Sequence, residues 1–151
     1  MVEAKDAQGK QYVVFRLGNE DYALDIHSVT TIEKPMIVAR VPRTPHFIKG
    51  VINLRGEIVP VMELSIRFNL TPAPESEETR IVIVKVGEAS LGLVVDEVED
   101  VLYLSKDSIE NVSNYSTDLS MDFITGVGKV NDRVITILNL EKLIEFNESG
   151  S

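Results

Sequence analysis

Apolar residues in this chain come in short, dense runs that stop at glycine or asparagine, the rhythm of strands joined by tight turns. Gln11 to Leu17 and Arg80 to Val86 are each dominated by β-branched and aromatic residues. Each run ends at a glycine-bearing pair, Gly18-Asn19 or Gly87-Glu88, which predicts two hairpins. Gly50 to Leu54 leads through a turn at Arg55-Gly56 into Glu57 to Met62, with Pro60 expected on an edge or at a bend. Gly126 to Leu138 repeats this strand, turn and strand, with Asn131-Asp132 at the turn. Helical signal is scarce. Asn139 can cap a segment that carries Leu140, Leu143 and Ile144 at one-face spacing, and a shorter counterpart runs from Glu63 to Phe68. Asn69 to Thr79, with two prolines and three glutamates, reads as an exposed connection.

The pattern occurs twice. VVFRLGNEDYALDIHSVTTI from Val13 aligns without a gap on VIVKVGEASLGLVVDEVEDV from Val82. Gly18 falls on Gly87, and at that same spacing Tyr22 meets Leu91, Leu24 meets Leu93, Ile26 meets Val95 and Val29 meets Val98. FIKGVINLRGEIVPVMEL from Phe47 aligns on FITGVGKVNDRVITILNL from Phe123 at a slightly longer spacing. Two copies of a unit of about 65 residues fit a pair of lobes, because a solenoid needs at least three repeats. The lobes are expected over residues 12–68 and 80–146 of one domain spanning 12–146, joined by 69–79. Strands can be exchanged between lobes, and residues 1–11 and 147–151 are expected to be flexible tails.

Many short strands at close spacing predict an all-β protein of two small barrels of SH3-like size. Each lobe alone is marginal for its length, so a shared apolar seam is expected between them. The 151 residues, 44% of them hydrophobic, suffice for one such unit.

Charge and composition narrow the function. With 15 Lys and Arg against 24 Asp and Glu, the net charge of -9 repels phosphate backbones and anionic lipid. Arg40, Arg43, Lys49 and Arg55 share one stretch, but no aromatic stacking set runs among them, so no nucleic-acid partner is expected. The absence of cysteine removes disulfides, thiolate metal sites and cysteine nucleophiles. The polar start and the lack of a long apolar run predict a soluble, cytoplasmic protein without membrane insertion.

Reactive constellations are missing. The two histidines, His27 and His46, are far apart in sequence and have no ligand company. Asp96, Glu97, Glu99 and Asp100 could be imagined as an acid/base pair or a cation site, but neighbours on a strand end point to opposite faces. A solvated charged edge is the simpler reading. The run from Gly126 to Asn131 starts like a dinucleotide fingerprint and lacks its third glycine. No cofactor, metal or catalytic residue is assigned, and protein recognition is the expected function. The rival from another class is a barrel that binds a small molecule or an oligonucleotide.

The stretches Tyr22 to Ile26, Val29, Ile32, Val41 to Gly50 and Val51 to Pro60 together resemble the signature of the CheW family, and Leu91 to Asp96, Val98, Val101 and Phe123 to Val127 resemble its second half. The likeness covers Tyr12 to Ile144. It implies two intertwined five-stranded SH3-like β-barrels related by a pseudo-twofold axis, no catalysis, and a coupling role between the cytoplasmic tip of a chemoreceptor and the regulatory domain of the histidine kinase CheA. It also implies a monomer in isolation, recruited into membrane-associated receptor arrays. A member of the family serving a non-motility pathway, or a free-standing equivalent of the adaptor half of CheV, fits the same residues.

Receptor contact, on this resemblance, falls on Val29, Ile32, Gly50, Asn53, Arg55 and Gly56. Kinase contact is expected at barrel ends, where Tyr115 is the candidate anchor because exposed aromatics serve that role. Plain core packing competes with the partner reading for Val29 and Ile32. Many family members carry an acid at the position of Thr31. Here the acid stands two residues later, on the same strand face, so Glu33 is expected to pair with Arg55 and orient it.

Overall fold

The computed structural model describes residues 9–110 and 121–145. Tyr115, and the expected tails over residues 1–8 and 147–151, lie outside them. The strands are β1 (Gly9–Leu17), β2 (Glu20–Asp25), β3 (Val29–Glu33), β4 (Ile48–Leu54), β5 (Glu57–Glu63), β6 (Arg80–Val86), β7 (Ala89–Val95), β8 (Glu97–Ser105), β9 (Ile109–Glu110), β10 (Ile124–Val130) and β11 (Arg133–Leu138). Two short helices, α1 (Leu64–Arg67) and α2 (Leu140–Ile144), follow β5 and β11. The Asn139 side chain accepts a hydrogen bond from the Lys142 N–H and so caps α2.

These strands build two barrels, and each takes its central hairpin from the other half of the chain. One sheet runs β8-β1-β2-β11-β10-β9 and the other β3-β6-β7-β5-β4. Replacing each strand by its repeat partner turns the second order into the first, which is the pseudo-twofold. The six-stranded sheet has one extra strand, the two-residue β9, whose Glu110 pairs with Val127. In the other barrel a single bridge, Ala39 to Val51, does the same work. Closure follows from continuity: β8 lies on one edge, and after a short 3-10 turn the chain reappears as β9 on the opposite edge.

Register is duplicated down to its irregularities. Thr30 is the extra residue of a bulge in β3 against β6, and Glu99 the extra residue of the equivalent bulge in β8 against β1. Lys49 and Thr125 are the bulged residues of β4 and β10. A bulge bends its strand and sharpens the twist, which a small closed barrel needs.

Alternation assigns the side chains to two kinds of core. Tyr12 and Val14 of β1, with Ala23, Leu104, Ile135 and Ile137, fill one barrel. Ile81 and Ile83 of β6, with Ile52, Val59, Val61 and Val94, fill the other. The opposite faces of the same hairpins meet between the barrels, where Phe15, Leu17, Leu24, Val82, Val84 and Leu93 form the largest cluster with Met62, Leu64, Phe68 and Leu143. Both faces of each hairpin are therefore buried. This explains why Tyr12 to Phe15 and Ile81 to Val84 read as unbroken apolar runs.

Two expectations change. β1 begins at Gly9, and Gly9 to Gln11 pair with Tyr103 to Ser105, so these three residues are strand and not tail. Pro60 lies inside β5, which is an interior strand between β7 and β4. It is tolerated because parallel pairing with β7 starts only at Val61, so the missing N–H falls where the ladder has not begun.

Because the hairpins are exchanged, neither barrel keeps its core without the other. Truncating fully buried Leu93 to alanine should cost about 2–5 kcal/mol. In urea titration, wild type and variant should each unfold in one cooperative step by fluorescence and by circular dichroism, and two resolved transitions would contradict the shared core.

Candidate partner-docking surface

Strand β3 carries Val29 and Ile32 to an edge of the five-stranded sheet. Val29 stands opposite Val84, is half-buried and packs against the seam cluster. Ile32 stands opposite Val82 and is 40% exposed. The two competing readings thus separate: Val29 borders the core, while Ile32 offers apolar surface to solvent.

Arg55 and Gly56 form the two-residue turn between β4 and β5, with φ of 51° and 89°. Positive φ at both central positions is the geometry whose twist matches the flanking strands. The Asn53 side-chain oxygen accepts the Gly56 N–H at 2.9 Å and braces the turn. Arg55 Nη2 then donates to Glu33 Oε2 at 3.1 Å, and the Thr31 hydroxyl donates to the same oxygen at 3.0 Å. The Glu33 side chain is 16% exposed and that of Arg55 70%, so a sheltered carboxylate holds an accessible cation. Thr31 thus serves as a support for Glu33.

Gly50 differs in kind from the others. It is buried, its φ is 152°, and a Cβ built on it would strike the Ala39 carbonyl oxygen. Its side-chain-free backbone lets β4 approach the Ala39 segment, and both hydrogen bonds of the Ala39–Val51 bridge measure 2.8 Å.

Two further residues emerge that the pattern left unmarked. Ile37 is 92% and Ile58 61% exposed, and with Met36, Val51, Ile52 and Asn53 they line an apolar concavity of about 600 Å³. Period-two alternation could have marked Ile58, since Val59 and Val61 point inward. Ile37 lies in an irregular segment, where no period applies. Four of the six exposed large apolar residues among those described come as repeat pairs: Ile32 with Val101 (48%), and Ile58 with Val134 (50%).

The acidic run at 96–100 is engaged in the fold. Asp96 accepts the Gly18 N–H at 2.7 Å. Arg133 lies 2.9 Å from Glu99, 3.4 Å from Asp21 and 3.6 Å from Asp100. Arg16 Nε stands 3.6 Å from Asp21 Oδ1, an ion pair too long for a hydrogen bond. Burial pushes the Glu99 carboxyl above its ordinary value; its hydrogen bond and repulsion with Asp21 add to the rise, and Arg16 and Arg133 oppose it. Among the described residues no group of three or more His, Asp or Glu is placed to hold a metal ion.

What the fold defines is a paired β-barrel module whose surface carries apolar and ionic residues together. Residues 11–148 match the family model of the CheW-like domain. The chain is 36% identical over 145 residues to chemotaxis protein CheW of Klebsiella aerogenes, covering 96% of this chain and 87% of that protein. It is 32% identical over 135 residues to chemotaxis protein CheW of Helicobacter pylori, covering 89% and 81%. The crystal structure of the scaffolding protein TtCheW from Thermoanaerobacter tengcongensis superposes with a TM-score of 0.85 at 38% identity, covering 93% of this chain and 90% of that one. The chain belongs to the CheW-like family.

Two measurements follow from this geometry. A double-mutant cycle of Glu33→Gln and Arg55→Met should return a coupling of only about 0–1 kcal/mol in unfolding free energy, because one partner is exposed. Glu99 has a folded pKa above its ordinary 4.5, so its stabilising contribution is complete below 4.5 and is lost as pH rises through the folded value. The stability of wild type relative to Glu99→Gln should therefore fall as pH is raised over that window. A constant gap in urea titrations at pH 4 and pH 7 would show that Glu99 titrates normally.

Proposed function

We propose that this chain is a chemotaxis adaptor that joins the cytoplasmic tip of a chemoreceptor to the regulatory domain of the histidine kinase CheA, acting by binding and without catalysis. The observation that carries this reading is strand β3, which offers exposed Ile32 on one side and, on the other, Glu33 holding Arg55. It combines an apolar anchor, a presented cation and a braced turn, the ingredients of a protein hot spot. Val29 lies on the Ile32 side of the strand, and Asn53 and Gly56 shape the turn that presents Arg55. The receptor tip docks there, and the kinase domain takes a barrel end. TtCheW is named a scaffolding protein and the sequence relatives are named chemotaxis proteins, which supports the assignment.

The protein acts in the cytoplasm and is recruited to receptor arrays, where several weak contacts add through multivalency. Among the described residues no helix is long and apolar enough to cross a membrane. Coupling then arises from differential affinity of the bound partners' signalling states for one rigid connector.

The test is a binding assay with a purified receptor tip and with the kinase regulatory domain. Ile32→Asp, at an exposed position that should leave stability nearly unchanged, is expected to weaken receptor binding by about tenfold or more while kinase binding persists. Retained receptor affinity in Ile32→Asp and in Arg55→Glu would remove β3 and its neighbouring turn as the receptor face.

A further inference from the structure

Arg67 ends helix α1 in the first half of the chain, yet most of what it touches belongs to the second half. Its guanidinium carbon lies 4.6 Å from the ring centre of Phe47 and 4.6 Å from that of Phe123. Both fall within the range of about 6 Å over which a ring face attracts a cation. These two phenylalanines occupy equivalent places in the repeat, one leading into β4 and the other into β10. Arg67 Nε donates to the Leu143 carbonyl at 3.2 Å, and Nη2 to the Glu145 carbonyl at 3.4 Å. The last carbonyls of a helix have no partners within it, so the guanidinium fork supplies what the end of α2 lacks. One side chain thus ties the five-stranded barrel to the ring and the helix end that flank the six-stranded one.

The arrangement is costly in charge terms. Among the described residues no carboxylate pairs with Arg67, and burial pushes its pKa below the ordinary value. A half-buried cation without a counter-ion adds little net stability, whereas a planar fork between two rings and two carbonyls constrains direction strongly. Phe68 extends the constraint, with its ring 5.6 Å from that of Tyr22 and 5.7 Å from that of Phe123.

We propose that Arg67 is a positioning residue that pins the angle between the two barrels, and with it the alignment of the receptor face on β3 with the surface that takes the kinase. The second half of this statement rests on the coupling function proposed above; the first does not.

The chain has no cysteine, so two spin labels can be introduced cleanly at Asn19→Cys and Glu88→Cys, exposed positions in the β1–β2 and β6–β7 turns that belong to different barrels. Double electron–electron resonance should give the narrowest distance distribution for wild type. Arg67→Lys, which keeps a cation between the rings without the fork, should be broader, and Arg67→Met broadest. Superimposable distributions for wild type and Arg67→Met overturn the pin. If Arg67→Met does not fold, Arg67→Lys decides in the same way.

In a reconstituted assay Arg67→Met should lower receptor-coupled kinase activity by about fivefold or more. Binding to the isolated receptor tip and to the isolated kinase domain should stay within about twofold. Broadened distances with unchanged coupling overturn the functional half. A wild-type chain that binds neither protein overturns the coupling reading itself, while the distance measurement still judges the pin.

Discussion

The structure depends on the burial of both faces of two hairpins. β1–β2 and β6–β7 each turn one face into a barrel and the other into the seam between the barrels, so the central residues of these strands have no side left for water. A fully buried Leu, Phe or Val contributes about 1.5–3 kcal/mol, and the seam collects Phe15, Leu17, Leu24, Val82, Val84 and Leu93 on the hairpins alone. A lobe of this size folding alone would bury too little surface for its chain entropy. Exchanging hairpins solves that problem, because each half completes the other's barrel and the unused faces become one core.

That arrangement also dictates where partners can dock. With the hairpins consumed by the interior, the described strands that carry exposed large apolar side chains are β3 and β5 and their counterparts β8 and β11. These carry the exposed Ile32, Ile58, Val101 and Val134. Scattered surface apolars need no explanation, but recurrence at the same repeat positions is not scatter. The duplicated fold has produced duplicated surface, and only one copy has the Glu33–Arg55 pair beside it. The other has the Arg133 cluster, a cation divided among Asp21, Glu99 and Asp100. The barrels share a scaffold and differ in the charge pattern they show, a difference of the kind by which surfaces discriminate between partners.

Much of this was legible in the residues. The unbroken runs around Val13 and Val82, the turn glycines and the two internal alignments disclosed strands, hairpins and the duplication, because burial on both faces and sharp turns leave direct marks on composition. The Glu33–Arg55 pairing was legible too, since residues two apart on a strand share a face. The extra strand β9 was not, because a two-residue strand has no period. Pro60 misled for a related reason: the rule that keeps proline at edges concerns a ladder hydrogen bond, and where along β5 the β7 ladder begins is set by tertiary register. Gly50 drew notice as part of a shared motif, whereas its demand is steric, from an Ala39 carbonyl distant in sequence. Ile37 stands in an irregular segment where only the folded barrel shows that nothing covers it.

The energetics of the Glu33–Arg55 turn separate holding from binding. An exposed pair such as Glu33 with Arg55 is worth little to the fold, because water competes for the guanidinium and salt screens it. What it changes is entropy: an arginine already directed by a sheltered carboxylate, on a turn braced by Asn53, loses less freedom when a partner arrives. A coupling protein has little to gain from great affinity at one face, since a partner that never leaves cannot report a change of state. It gains from faces whose direction is fixed in advance, so that small differences between signalling states become differences in binding. Rigidity at the turn serves this aim on the scale of one side chain, and the interlocked hairpins serve it on the scale of the whole molecule.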